Sequence, residues 1–414
     1  MGMRFEGIDA KLSIAEEGEI KFYTYSPAEF STGGKALLKS MPVFYNPIQE
    51  INRSLTLLAY RAFQNSKQQK NSEESFHILD SMAASGIRTL RLAKFLDKPF
   101  SITANDLNPL AIHLIRKNME LNHLSESIYL TNDDCLHLMT NSKVKREFFD
   151  IIDIDPFGTP NIFISPALHA IKKEGLLAIT ATDTPVLFGV GKNACIRKYN
   201  VFPLRSTFSK EVGLRVLLYY IAKHAHPLMR AIKPMLSVSF DHYIRVFVQI
   251  IKGEEAIRTN IQNTGYILWC AKCDWRGTTD LNILNVPHQC PNCGSKLDFG
   301  GPLWIGEIHE DKFVQELNEI NLEVPKEVIP SKARIERTLQ RISEEISFPL
   351  GYYDVHKICD KLQISVSSMK EIEDAIKSQG FNFARTHVEA HAIKSNIDIE
   401  SLKAILIKLA QKST

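Results

Sequence analysis

Four of the seven cysteines fall in two close pairs, Cys270–Cys273 and Cys290–Cys293, with sixteen residues between the pairs. The second pair reads C-P-N-C-G, where glycine permits the tight turn that aims backbone amides at a thiolate. Four thiolates at this spacing fit tetrahedral zinc. With no open coordination position, such a metal is structural, not catalytic. Cys135, Cys195 and Cys359 are scattered, and a disulfide framework would be unusual in so long a chain without a secretory signal. A second constellation is acidic. Asp80, Asp106, Asp133–Asp134 and Asp155 each follow a short strand-like run. The last belongs to Asp153-Ile-Asp155-Pro156-Phe157-Gly158. A carboxylate and a backbone carbonyl there can accept both N–H bonds of an aromatic amine and localise its lone pair. Proline stiffens the loop, and Phe157 can stack on a base face.

These acids need elements to bring them together. From Phe76 to about Thr182, strand-like and helix-like segments alternate. The runs FHIL (76–79), SITAND (101–106), YLTN (129–132), FDIIDI (149–154) and LLAIT (176–180) read as strands. Between them lie IRTLRLAKFL (87–96) and a helix capped by Asn108 with Pro109 at its first position. The alternation predicts an α/β fold with a doubly wound, mostly parallel sheet, and ligands at the carboxyl ends of its strands.

Asp80 opens D-S-M-A-A-S-G (80–86), which is not G-x-G-x-x-G. Small residues there let a ligand approach backbone, but a generic strand–helix turn explains the segment equally well. Asp106 suits a bidentate grip on ribose hydroxyls. Asp134 suits an adenine amine, or is a solvated loop acid. Four acids in register fit a cationic sulfonium with a ribose and no phosphate, and would repel a dinucleotide. The expected cofactor is therefore S-adenosylmethionine.

Acid-Pro-aromatic after a strand resembles the [DN]-P-P-[FYW] motif of amino methyltransferases. The wider sequence resembles the tRNA (guanine-26-N2)-dimethyltransferase family, in its archaeal form. The resemblance rests on PVFYNP (42–47), NRS (52–54), DSMAASGIRTLR (80–91), NDLNP (105–109), NDD (132–134), DIDPFGTP (153–160) and TATDTPVLFG (180–189). It continues through AC-x-RKY (194–199), PLR (203–205), EVGLR (211–215), DHYIRVFV (241–248), ISFPLGYYDVH (346–356) and GFNFARTH (380–387). It implies a Rossmann-like class I methyltransferase sheet. It implies transfer of one or two methyl groups from S-adenosylmethionine to N2 of guanine 26 of tRNA. Asp155 would accept the amine proton, and Phe44 and Phe157 would sandwich the flipped base. Arg53 and Arg88 would hold the methionine carboxylate, Asp106 the ribose, and Asp134 with the backbone of Cys135 the adenine; Asp80 would line the same pocket. The chain departs from the family pattern at Ser54, at Cys135 and in RTHVEAHAIKS (385–395).

The 414 residues suit several domains. The expected division is an N-terminal segment (1–75) completing the cofactor and base pocket, a methyltransferase domain (76–255), a zinc-binding segment of ribbon type (256–330) and a helical, winged-helix-like domain (331–414). Ser31 to Gly34 and Asn65 to Ser75 read as turn and surface loop. Net charge is only +3, yet residues 192–252 carry eleven Lys or Arg against Glu211 and Asp241. That stretch is a footprint for phosphates or a solvated basic face. The tail after residue 330 is nearly neutral, with thirteen Lys or Arg against eleven acids. No run of eighteen apolar residues occurs, and the first twenty residues read as neither secretory signal nor transit peptide. The expected setting is the cytoplasm, with tRNA as partner and no obligate protein partner. Two other readings compete: an amino methyltransferase of another nucleic-acid base, and a zinc-containing RNA-binding protein with an inactive methyltransferase fold.

Overall fold

A computed structural model describes residues 12–26, 31–32, 35–36, 41–68, 75–97, 99–282 and 286–412. It divides into two compact units. The first comprises residues 1–180, 247–250 and 316–337, and the second 181–246, 251–315 and 338–414.

The first unit begins with the antiparallel strands β1 (Leu12–Glu17) and β2 (Ile20–Tyr25) and the two-residue strands β3 (Ser31–Thr32) and β4 (Lys35–Ala36). Gly33 and Gly34 of the expected turn lie outside the described residues. Helix α1 runs Glu50–Gln68. It thus absorbs the start of the segment expected to be loop from Asn65, where Lys67 and Gln68 are good helix formers; 69–74 lie outside the described residues. There follow β5 (Phe76–Asp80), α2 (Ile87–Phe95), β6 (Phe100–Asn105), α3 (Pro109–Asn122), β7 (Ile128–Thr131), α4 (Cys135–Lys145), β8 (Phe149–Ile154), α5 (Asn161–Ala170) and β9 (Ile171–Ala181).

The strands run parallel in the order β7-β6-β5-β8-β9, a doubly wound sheet as expected, with residues 247–250 beside β9. Strand β8 is buried along nearly its whole length, as an interior parallel strand covered on both faces must be. The α3 start follows its sequence signal. The Asn108 side chain accepts a hydrogen bond from the Leu110 amide at 3.0 Å, with Pro109 at the first turn. One core under the sheet edge joins Phe22 of β2, Val43, Ile87 and Leu90 of α2, and Leu114 and Ile115 of α3. Gly86 has φ +76°, and a Cβ there would lie 2.7 Å from Ile115. Only glycine lets α2 leave the strand and pack this closely on α3.

The second unit holds strand β10 (Arg230–Phe240) and the remainder of β11 (Tyr243–Lys252), which neighbour each other. A helix over Ser209–Ala225 is buried on almost every side. Strands β12 (Thr264–Trp269), β13 (Arg276–Thr279) and β14 (Asp298–Trp304) form a sheet in the order β13-β12-β14 that carries the cysteine loops. Near the C-terminus, helices over Val355–Leu362, Met369–Ser378 and Ile399–Lys412 share a core with a small sheet of β15 (Tyr353–Asp354), β16 (Phe383–Arg385) and β17 (Ala392–Ser395). Among the described residues no helix is long and apolar enough to cross a membrane.

Candidate active site and zinc centre

The carboxyl ends of β5, β6, β7 and β8 lie side by side, which brings Asp80, Asp106, Asp134 and Asp155 to one edge of the sheet. Asn105 stitches this edge. Its amide nitrogen donates to the Ser81 and Asp133 carbonyls at 3.1 and 3.0 Å, and its oxygen accepts from Thr131 at 2.9 Å and the Asp133 amide at 3.1 Å. Asn105 is 1% exposed. With all four contacts inside the protein it fixes three strand-end loops relative to one another.

Asp153 and Asp155 stand two residues apart at the end of β8. Alternate residues of a strand share a face, so both carboxylates meet the guanidinium of Arg88 from the first turn of α2. Arg88 Nη1 donates to Asp153 and Nη2 to Asp155. The Tyr60 hydroxyl donates to the other Asp153 oxygen at 2.6 Å. Asp80 is fully buried and accepts from the Thr89 hydroxyl at 2.7 Å. Burial pushes the Asp80 carboxyl up to about 6; Arg88 and Thr89 oppose the rise, and Asp153 and Asp155 add to it. Burial works against the Arg88 charge too, but Asp153, Asp155 and Asp80 outweigh it and hold Arg88 above its ordinary value. Three carboxylates thus face one cation, an excess of negative charge suited to a cationic ligand. Among the described residues, Arg88 Nε is buried with no protein partner.

The other expected residues have definite partners. Asp106 accepts from the Ala84 amide with one oxygen and the Asn108 amide with the other, each at 2.8 Å, so it ties the β5–α2 turn to the end of β6. Each oxygen keeps a lone pair for a hydroxyl. Asp134 is the N-cap of α4, accepting from the Leu136 amide at 2.8 Å; a helix start, not an idle loop, explains an acid there. Cys135 follows as the first helical residue, its thiol pushed up to about 11 by burial and then by Asp134. Arg53 is not beside the strand-end acids in any contact described. Its Nε donates to Glu17 at 2.7 Å, its Nη2 pairs with the same carboxylate, and Nη2 also donates to the Asn46 carbonyl at 3.1 Å. Arg91 joins that carboxylate at 2.7 Å. Phe44 and Phe157 are brought into contact, ring to ring, and Phe157 is 57% exposed.

The N2,N2-dimethylguanosine tRNA methyltransferase family model matches residues 24–407, nearly the whole chain. The chain belongs to that family. The tRNA (guanine(26)-N(2))-dimethyltransferase of Methanobrevibacter smithii is 34% identical over 403 residues, covering 97% of this chain and 99% of the relative. That of Methanosphaera stadtmanae is 32% identical over 400 residues, covering 96% and 97%. Among solved structures, Trm1 of Pyrococcus horikoshii in complex with S-adenosyl-L-methionine matches with a TM-score of 0.81 at 28% identity, over 95% of this chain and all of the other. The Rossmann-like methyltransferase fold expected from the sequence is the fold of this family member.

The second unit brings the four expected zinc ligands together. Cys270 and Cys293 sulfurs lie 3.5 Å apart, Cys273 and Cys290 sulfurs 3.6 Å apart, and all four lie within 4.8 Å of one another. Zinc–sulfur bonds of about 2.3 Å in a tetrahedron require sulfur–sulfur edges of about 3.8 Å. The four thiols therefore fit structural zinc. The turn geometry follows the sequence: the Gly294 amide donates to the Cys290 carbonyl at 2.9 Å, and Gly294 has φ +69°.

Three members of the strand-end array carried no recognised signal in sequence: Tyr60, Asn105 and Asp153. Asn105 and Asp153 lie inside quoted motifs, but their partners come from other elements. Tyr60 lies 93 residues from Asp153, and spacing alone could not pair them.

Proposed function

We propose that this protein transfers one or two methyl groups from S-adenosylmethionine to N2 of guanine 26 of tRNA, in the cytoplasm. One arrangement carries the reading: Asp155, 23% exposed at its side chain, directly follows β8 with one oxygen paired to Arg88, beside the exposed ring of Phe157. Among the described residues the other Asp155 oxygen has no protein hydrogen bond, so it is open to an N–H donor. S-adenosylmethionine, when bound, supplies an electrophilic methyl group.

The chain supplies the rest. Asp155 accepts a hydrogen bond from the guanine amine, localises its lone pair and takes the proton released on methylation. Phe44 and Phe157 take the faces of the flipped base. Asp106 accepts from ribose hydroxyls, and Asp134 with the Cys135 amide meets adenine. Asp80 offers negative charge to the cationic end of the ligand. Arg53 and Arg88 face its carboxylate; a guanidinium has five N–H donors, and the contacts described leave some on each. Holding both reactants on one rigid sheet edge removes most of the orientational cost of the transfer.

The test is methyl transfer from labelled S-adenosylmethionine to unmodified tRNA transcripts carrying guanine or adenine at position 26. Label only with guanine supports the reading. Label with both discards the position, and label with neither discards the activity.

A further inference from the structure

Asp153 is 1% exposed and has no part in the proposed transfer, yet its contacts lead to the residue that does. Its backbone oxygen accepts from both the amide and the hydroxyl of Ser81, at 3.2 and 2.5 Å. Its carboxylate accepts from Tyr60 on one oxygen and from Arg88 on the other. The same Arg88 guanidinium reaches Asp155 with its second terminal nitrogen. Tyr60, Asp153, Arg88 and Asp155 therefore form one continuous line of hydrogen bonds, buried at Tyr60, Asp153 and Arg88 and open only at Asp155.

A planar guanidinium presents its donors in a fixed fork. With Nη1 anchored on Asp153, Nη2 can approach Asp155 from one direction only. Sharing matters as well. An Arg88 paired with Asp155 alone would close on it bidentately and occupy both oxygens. Asp153 takes half of the fork, so Asp155 keeps one oxygen outward. We infer that Asp153, braced by Tyr60, is a positioning residue that fixes the orientation of Asp155 through Arg88 and keeps one of its oxygens free for the amine.

This inference rests on the proposed role of Asp155, so Asp155→Asn is run beside the test variants. The variants are Asp153→Asn, Tyr60→Phe and their combination, each close to isosteric. Single-turnover methyl transfer is measured with both substrates saturating, alongside calorimetric affinity for S-adenosylhomocysteine, tRNA affinity and melting temperature. Asp153→Asn is expected to slow transfer at least tenfold and Tyr60→Phe a few-fold, with tRNA affinity within about twofold of the parent. The double variant should be no slower than Asp153→Asn alone, because both act through one line. A merely structural role would instead lower melting temperature and leave transfer from the bound complex unchanged. That outcome overturns the inference, as does a double variant whose loss is the product of the two single losses. If Asp155→Asn itself retains normal transfer, the role of Asp155 fails first. If Asp155→Asn is inactive and Asp153→Asn is normal, only the positioning role fails.

Discussion

Phe44 and Phe157 meet edge to face, with ring centroids 4.6 Å apart and planes at 82°. A base cannot lie between two rings already in contact. The sandwich expected from sequence therefore requires the rings to part, exchanging one aromatic contact for two. An edge-to-face pair is worth about 0.5–1.5 kcal/mol, and stacking about 1–3 kcal/mol per base. The exchange favours the bound base. Phe157→Ala should cut methyl transfer at limiting tRNA by roughly tenfold or more, with cofactor affinity unchanged. Transfer at the parental rate would remove Phe157 from the base site.

Asp80 gives a pH dependence whose sign can be worked out. Its carboxyl moves from an ordinary 3.8 to about 6 in the folded chain. Below pH 3.8 it is neutral folded or unfolded and has no effect on stability. As pH rises toward 6 the unfolded chain ionises first, so folding loses up to about 3 kcal/mol, an order-of-magnitude figure. Asp80→Asn should therefore melt higher than the parent at neutral pH without ligand. A cationic ligand favours the ionised form, so affinity for S-adenosylmethionine should rise with pH through about 6 and then level off. Calorimetry between pH 5 and 8 checks this; a flat affinity would separate Asp80 from the ligand's charge.

Much of the first unit was legible because its signals are local. Asn108-Pro109 marks the start of α3 within two residues, and short apolar runs between turn residues mark the strands. The acids at strand ends were legible once a parallel sheet was inferred, since the strand order places them on one edge. The partners of those acids were not. Asp134 reads equally as ligand contact or solvated loop acid until α4 is seen beginning at Cys135 with Asp134 as its cap. Arg88 and Arg53 look alike in sequence, yet one lies on Asp153 and Asp155 and the other on Glu17, a partner 36 residues away. Such choices are set by packing between elements, which no spacing rule encodes.

The four-cysteine site makes a separate prediction. Its sulfurs are gathered at zinc-like spacing in a small core with Leu268 and Leu297. Replacing all four cysteines by serine should remove one equivalent of zinc per chain and lower the melting temperature, since structural zinc contributes directly to folding. Elemental analysis of the parent protein gives the stoichiometry. A parent without zinc, with the quadruple variant melting at the same temperature, would reduce the cluster to four buried thiols.

Glu211 is the buried charge centre of the second unit. Its side chain accepts from Arg215 at 2.9 and 2.7 Å and from the Gly351 amide at 2.9 Å, and Lys394 Nζ lies 3.0 Å away. Glu211, Arg215 and Lys394 are each at most 6% exposed. Burial alone would raise the Glu211 carboxyl; Lys394 and Arg215, with the Gly351 amide, outweigh it and hold the group well below the carboxylate range. Removing the carboxylate leaves two buried cations without a counter-charge, a loss of about 3–5 kcal/mol for a broken buried pair. Glu211→Ala should shift the urea midpoint far down, and Glu211→Gln nearly as far because it keeps shape and loses charge. The pH dependence separates charge from packing. A depressed carboxyl stabilises the fold above its unfolded pKa, ordinarily 4.5, and that stabilisation drains away as pH falls below it. The parent should therefore lose stability below pH 4.5 more steeply than Glu211→Gln, whose curve lacks this titration. Parallel curves in acid would mean that Glu211 contributes through packing and not through its charge.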